Sequence, residues 1–288
     1  MNSSTPRLQI ATTDGLQLSA LVEGRSEGPT LVFVHGYPDN LHVWDAVVEL
    51  LKSHYRIIRY DVRGAGQSGA PRLLAGYRFT QLTADFRRVI DQLSPDAPVH
   101  LIGHDWGSIQ GWQFATEPAL AGRISGFTSI SGPCFDHVGH QLHLRGLSKT
   151  TLRQLAASWY MAAFHLPLLA PAVWRLGLAR HWHRVLGRLE RQAGLRPQPS
   201  QRRDGVNGIN LYRANLLSHL HRPQPRHATA PVQLVIARRD PFVTAALYEG
   251  LEHWAPQLSR VTVDAGHWLP LTQPDWLATQ IQQFQQPL

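Results

Sequence analysis

The sequence contains a single cysteine, Cys134, and therefore forms no internal disulfide. Charged residues make up only 17%, and Trp, Tyr and Phe are spread from end to end, which excludes a long disordered tract. No run of about 18 apolar residues could span a bilayer, and the opening MNSSTPRLQIATTDG lacks the apolar stretch of a secretory signal. A soluble, cytoplasmic protein in a reducing compartment is expected. Zinc-finger spacing, RNA-binding motifs and a basic tail are also missing, so the surplus of 28 Lys+Arg over 20 Asp+Glu is not read as a nucleic-acid footprint. His181 with His183, and His219 with His221, are spaced for opposite sides of a helix without accompanying carboxylates. They are expected to be solvated, and no metal site is expected. Gly64 and Gly66 lack the third glycine of a dinucleotide fingerprint, so no nicotinamide or other cofactor is expected.

What is present is 288 residues, 43% of them hydrophobic, enough for a large buried core. Apolar runs at 31–34, 56–60, 99–102, 127–130, 232–236 and 261–263 read as buried parallel strands. Two alternating runs, at 8–10 and 16–21, suggest an antiparallel start, and 83–93 and 274–284 recur at helical spacing. The order points to an α/β fold, a mostly parallel eight-stranded sheet with helices on both faces. The alternation breaks at 133–230, where Leu, Trp and Arg recur at helical intervals. The expected organisation is thus a core of 1–132 and 231–288 with a helical insertion at 133–230.

Asp105 stands in GHDWGS (103–108), between an apolar strand and a helical run. Small residues two before and two after let a sharp turn present the central side chain, as in a nucleophile elbow. The simpler reading makes Asp105 an N-cap of the following helix. Asp240 follows the strand at 232–236 and His267 the strand at 261–263, giving the chain order of nucleophile, acid and histidine, with each residue at a strand's carboxyl end. A carboxylate nucleophile attacks electrophilic carbon and forms an alkyl ester, which disfavours amide and ordinary ester hydrolysis. Activity is then expected to fall as pH drops through an imidazole pKa near about 6.5.

His35-Gly36-Tyr37-Pro38, Asp61 with Arg63, Gly64, Gly66 and Ser68, GHDWGS and GHW (266–268) together resemble the epoxide hydrolase and haloalkane dehalogenase branch of the α/β-hydrolase superfamily. The resemblance runs nearly end to end. It implies a cap inserted after the sixth strand, an ester formed on Asp105, and water activated by His267 with Asp240 orienting the ring. It also implies an oxyanion hole from the backbone N–H groups of Tyr37 and Trp106, and a turn at Pro38 that is often cis. Tyr160, in SWYMAAFHLP, and Tyr212, in NLYRAN, resemble the two ring-opening tyrosines of epoxide hydrolases. Trp159, His35, Pro38 and Trp268 complete the set expected to contact substrate.

An epoxide opens to an alkoxide that needs a proton donor, whereas a halide needs only N–H donors. Haloalkane dehalogenases often carry Asn where this chain has Tyr37, and fluoroacetate dehalogenases usually carry Arg where it has Trp106. The expectation is a small lipophilic epoxide as substrate; a carbon–halogen hydrolase and a non-enzymatic ligand-binding homologue are the alternatives. The stretch SGPCFDHVG (131–139) resembles hydrolase domains joined to a short-chain dehydrogenase domain, which implies a longer parent chain.

From 150 to 227 there are twelve arginines against two acids, Glu190 and Asp204. Arg180, Arg184, Arg188 and Arg191 share one helical face. One reading is a cap helix with a wet face; the other is peripheral contact with an anionic membrane.

Overall fold

The computed structural model describes residues 6–146, 154, 156 and 158–285. Eight strands form one sheet: β1 (Leu8–Ala11), β2 (Gln17–Gly24), β3 (Thr30–Val34), β4 (Arg56–Tyr60), β5 (Val99–His104), β6 (Ile124–Ile130), β7 (Val232–Ala237) and β8 (Leu258–Val263). Their spatial order is β1-β2-β4-β3-β5-β6-β7-β8, with β1 and β2 antiparallel and the remainder parallel. The expected strands are all present, but β6 and β8 start earlier than their apolar runs. Pairing of Ile124 with Val99 and of Leu258 with Val232 recruits more polar residues into the ladders.

Alternation along β3 shows how the layers are built. Val32 and Val34 face one core with Phe86, Ile90 and Trp112, from α2 (Phe79–Leu93) and α3 (Trp106–Ala115). Leu31 and Phe33 face the other core, with Val47, Val48 and Leu51 of α1 (Asp45–Leu51) and Leu277 and Ile281 of the C-terminal helix (Pro274–Gln285). All five β3 residues are buried, as a strand covered on both faces requires. Every residue of α3 is buried as well, so this helix has no wet face and is fixed all round.

Between β6 and β7 the chain leaves the sheet. It forms α4 (Phe135–Arg145), α5 (Trp159–Phe164), α6 (Leu169–Val173), a π-helical turn (Trp174–Leu178), α7 (Ala179–Glu190) and α8 (Gln201–His221). No helix among the described residues is long and apolar enough to cross a membrane. One expectation for this segment needs correcting. His219 is not solvated: its Nδ1 lies 3.0 Å from Asp136, and its ring packs edge-on to Phe79. His181 and His221 are exposed.

The loop after β4 is held by charge. Arg63, with a fully buried side chain, donates from Nε and Nη2 to the two oxygens of Asp85, each at 2.6 Å, and from Nη1 to Asp14 at 2.9 Å and to the Gly76 carbonyl. Removing one partner strands a buried charge. Arg63→Ala should therefore cost about 3–5 kcal/mol in chemical denaturation followed by tryptophan fluorescence. A loss below about 1 kcal/mol would mean that the pair behaves as a surface ion pair and does not hold the loop.

Candidate active site

The strand order reverses at β3, which lies between β4 and β5, and the crevice between the carboxyl ends of β3 and β5 is where open α/β sheets hold ligands. β3 leads into His35-Gly36-Tyr37 and β5 into Asp105. Asp105 has φ 52°, a conformation that costs a non-glycine residue of order 1–3 kcal/mol unless its surroundings impose it. Those surroundings are glycines at close quarters: a Cβ at Gly36, Gly107 or Gly132 would overlap Asp105, Val34 or neighbouring backbone. Asp105 occupies the N-cap position of α3, yet its side chain makes no capping hydrogen bond. Instead its Oδ1 accepts the Tyr37 N–H at 2.7 Å. The capping reading therefore fails, because the carboxylate is turned across the crevice.

His267 meets the other oxygen, with Nε2 3.4 Å from Asp105 Oδ2. Its Nδ1 is 2.7 Å from Asp240 Oδ2. Asp240 Oδ1 accepts the N–H groups of Phe242 and Val243 at 2.8 and 3.0 Å, which fixes the carboxylate and places the imidazole proton on Nδ1. From the other side, His104 Nε2 lies 2.8 Å from the His267 carbonyl, to which it donates. Burial alone would lower the His267 pKa, but the Asp240 and Asp105 carboxylates overcome it and hold the pKa up at about 10. The acid limb expected from an unperturbed imidazole is thus displaced upward in the resting site. Burial would raise the Asp240 pKa, but the charge and hydrogen bond of His267 keep it below the usual carboxylate range.

Asp105 opens onto a cavity of about 320 Å³ whose walls include Ile109, Phe135, Trp159, Tyr160, Met161, Tyr212, Leu216 and Phe242. Tyr160 and Tyr212 both line it, with ring centroids 6.4 Å apart. Burial pushes both phenols above their ordinary pKa, reinforced at Tyr160 by Asp105 and Asp240 and at Tyr212 by Tyr160 and Asp105, so each keeps its proton. The Tyr212 ring is wedged between those of Trp106 (4.8 Å) and Phe164 (4.9 Å). Trp159 lies on the cavity wall and is 70% exposed, so it marks the mouth. A wider groove of about 820 Å³, lined by Arg78, Arg87 and His219, holds none of the triad.

Three of the expected substrate contacts lie behind this wall instead of on it. His35 is buried, with Nδ1 2.8 Å from the Gly36 carbonyl and Nε2 accepting the Val62 N–H, so it braces two loops. Pro38 follows a cis peptide bond, and its carbonyl accepts from Gln201. Trp268 is buried, and its indole N–H donates to Asp39 at 2.9 Å. All three adjoin functional residues in sequence, but the local turns point them into packing. The Tyr37 ring is likewise structural: its hydroxyl donates to the Gly205 carbonyl and accepts from the Trp174 indole. Its backbone alone faces Asp105.

Sequence reasoning missed Asp39, Glu190, His104 and Phe242. Burial pushes Asp39 up to about 7, offset in part by the Trp268 N–H. Glu190, at the end of α7, accepts the Trp268 backbone N–H at 3.2 Å. The phenyl ring of Phe242 packs edge-on against His267, 5.1 Å between centroids. Position next to Pro38 was a signal for Asp39, and position within GHDWGS was one for His104; the other two had none.

Residues 29–274 match the family model described as alpha/beta hydrolase fold. A protein of Mycobacterium tuberculosis named probable oxidoreductase EphD is 34% identical over 96% of this chain and 48% of its own length, so the chain spans about half the length of such relatives. Epoxide hydrolase 3 of Mus musculus is 26% identical over 96% of this chain and 76% of its own. Among solved structures, a product complex of an epoxide hydrolase from Bacillus megaterium superposes with a TM-score of 0.79 at 21% identity, covering 96% of this chain and 99% of that one. An epoxide hydrolase from Vigna radiata gives 0.79 at 20% identity, covering 99% and 98%. With the sheet order, the strained aspartate after β5 and the matched span in agreement, the chain belongs to the alpha/beta hydrolase fold family.

Proposed function

We propose that this hydrolase converts a lipophilic epoxide to a vicinal diol through an ester on Asp105, beneath a cap formed by the helices between β6 and β7. The observation that carries the reading is that Asp105, Tyr160 and Tyr212 share one largely apolar cavity while His267 approaches Asp105. Asp105 Oδ2 attacks a ring carbon, the carbon–oxygen bond breaks, and the electron pair goes to the ring oxygen. A tyrosine hydroxyl donates the proton that oxygen needs. Esterification cancels the Asp105 charge, so the His267 imidazolium loses one of the two carboxylates that hold its proton. The proton it releases restores the tyrosine.

Neutral His267 then takes a proton from water, whose oxygen attacks the Asp105 carboxyl carbon. Negative charge develops on Oδ1, which already receives the Tyr37 N–H. The Trp106 N–H, first in α3 and without an internal helical acceptor, is the second donor. Collapse expels the diol alkoxide, which takes its proton from His267, and the acid left on Asp105 returns its own to the imidazole. A departing halide would leave both tyrosines idle, and the Tyr37 side chain is already engaged by the Gly205 carbonyl and the Trp174 indole. What the mycobacterial name says of oxidoreduction refers to a protein about twice as long.

Three outcomes are expected. His267→Gln, incubated with an aryl epoxide, should gain the mass of one substrate in intact-protein mass spectrometry, and Asp105→Asn should gain none; a folded His267→Gln protein that binds epoxide without an adduct refutes the covalent step. Tyr160→Phe with Tyr212→Phe should slow single-turnover alkylation by about 10²–10⁴-fold, and an unchanged rate removes the tyrosines from ring opening. Asp105→Asn, which mimics the loss of charge, should lower the His267 pKa from about 10 by more than a unit in an NMR titration, because a raised pKa falls when the carboxylate raising it is neutralised. An identical titration in both proteins would contradict the proposed release of the imidazole.

A further inference from the structure

We propose that the inserted helices dock the protein onto an anionic lipid surface, with the cavity mouth facing the bilayer. Two independent features meet there. The first is apolar: Leu166, Leu168, Leu169, Val173 and Leu176 are all exposed within one short stretch, Leu168 and Leu176 by 84% and 86%. This stretch follows directly on α5, whose Trp159 lines the mouth. Arg213 of α8 also ties it there, donating to the Phe164 and Leu166 carbonyls. Leu217, one turn further along α8, is 62% exposed and lines the cavity too.

The second feature is charge. The chain continues from Leu176 into α7, where Arg180, Arg184 and Arg188 are exposed at helical spacing. Arg184, Arg188 and Arg191 with His183 wall a shallow depression of about 460 Å³. Arg175, Arg180, Arg184, Arg188, Arg191 and Arg196 form no ion pair with an acid among the described residues. Both acids of the 150–227 stretch are occupied within the protein. Glu190 holds the Trp268 N–H, and Asp204 is buried on Ser200, Asn40 and the Gly66 N–H. The outer surface of this segment therefore offers leucines beside uncompensated guanidinium groups, the combination that binds at the headgroup level of an anionic bilayer. A protein partner with an acidic face would match the arginines but leave the leucines uncovered. A second copy would bring like charges together.

The test needs no turnover, so it stands apart from the reaction proposed above. Vesicles of phosphatidylcholine, with and without phosphatidylglycerol, are floated with the protein. The protein should float with the anionic vesicles, stay in solution with the neutral ones, and be released by salt. Replacing Arg180, Arg184 and Arg188 together by Gln should weaken flotation on the order of 100-fold. Leu168→Ser with Leu176→Ser should also reduce it, while the far-ultraviolet circular dichroism and thermal unfolding of both variants are unchanged. Flotation unaffected by either set, or absent from anionic vesicles at low salt, overturns the proposal. So does light scattering that finds a dimer which the leucine variant converts to a monomer.

Discussion

The hydrogen bond from the Tyr37 N–H to Asp105 Oδ1 joins the ends of two adjacent parallel strands, and the site is organised around it. It can form only because β3 and β5 are neighbours in the sheet although β4 comes between them in sequence. It also needs Gly36 and Gly107, where any side chain would collide with the opposing loop. Its effect is to make the two oxygens of one carboxylate unlike. Oδ1 is held by a backbone dipole, and Oδ2 is left toward the imidazole and the cavity. The positive φ of Asp105 is the conformational cost of this arrangement, and an α3 buried on every side supplies the rigidity that sustains it.

Around this bond the charges balance locally. Asp105 and Asp240 flank one imidazole, so a protonated His267 sits between two carboxylates, and its charge holds the Asp240 pKa down against burial. Asp39 lies close by, but among the described residues its carboxylate accepts only from the Trp268 indole and pairs with no cation, and burial pushes its pKa up to about 7. The contrast shows why His267 responds to the state of Asp105: its proton is held by neighbouring charge against the desolvation that opposes it.

Much of this was legible in one dimension. Strand ends mark Asp105, Asp240 and His267, because parallel sheets expose functional groups at one edge, and that edge is visible as the few residues that follow an apolar run. Tyr160 and Tyr212 were legible only by their local motifs; helical spacing alone could not have separated them from packing tyrosines. His35, Pro38 and Trp268 misled because proximity in sequence does not determine which side of a turn a side chain takes. Glu190 was invisible, since its bond to Trp268 spans 78 residues and depends on how α7 lies over the loop after β8. The pH behaviour was equally hidden, because it rests on distances among three side chains from three strand ends.

That last contact has a wider reach than its length suggests. Glu190 terminates α7, the helix that carries Arg180, Arg184 and Arg188, and it grips the backbone one residue beyond His267. Twelve helical residues make a stiff rod of about 18 Å. Tilting the rod away from the core would take the carboxylate with it and deprive the histidine loop of that restraint. Glu190 thus links the position of α7 to the loop that carries His267, so the outer helices and the strand end beneath them share one restraint.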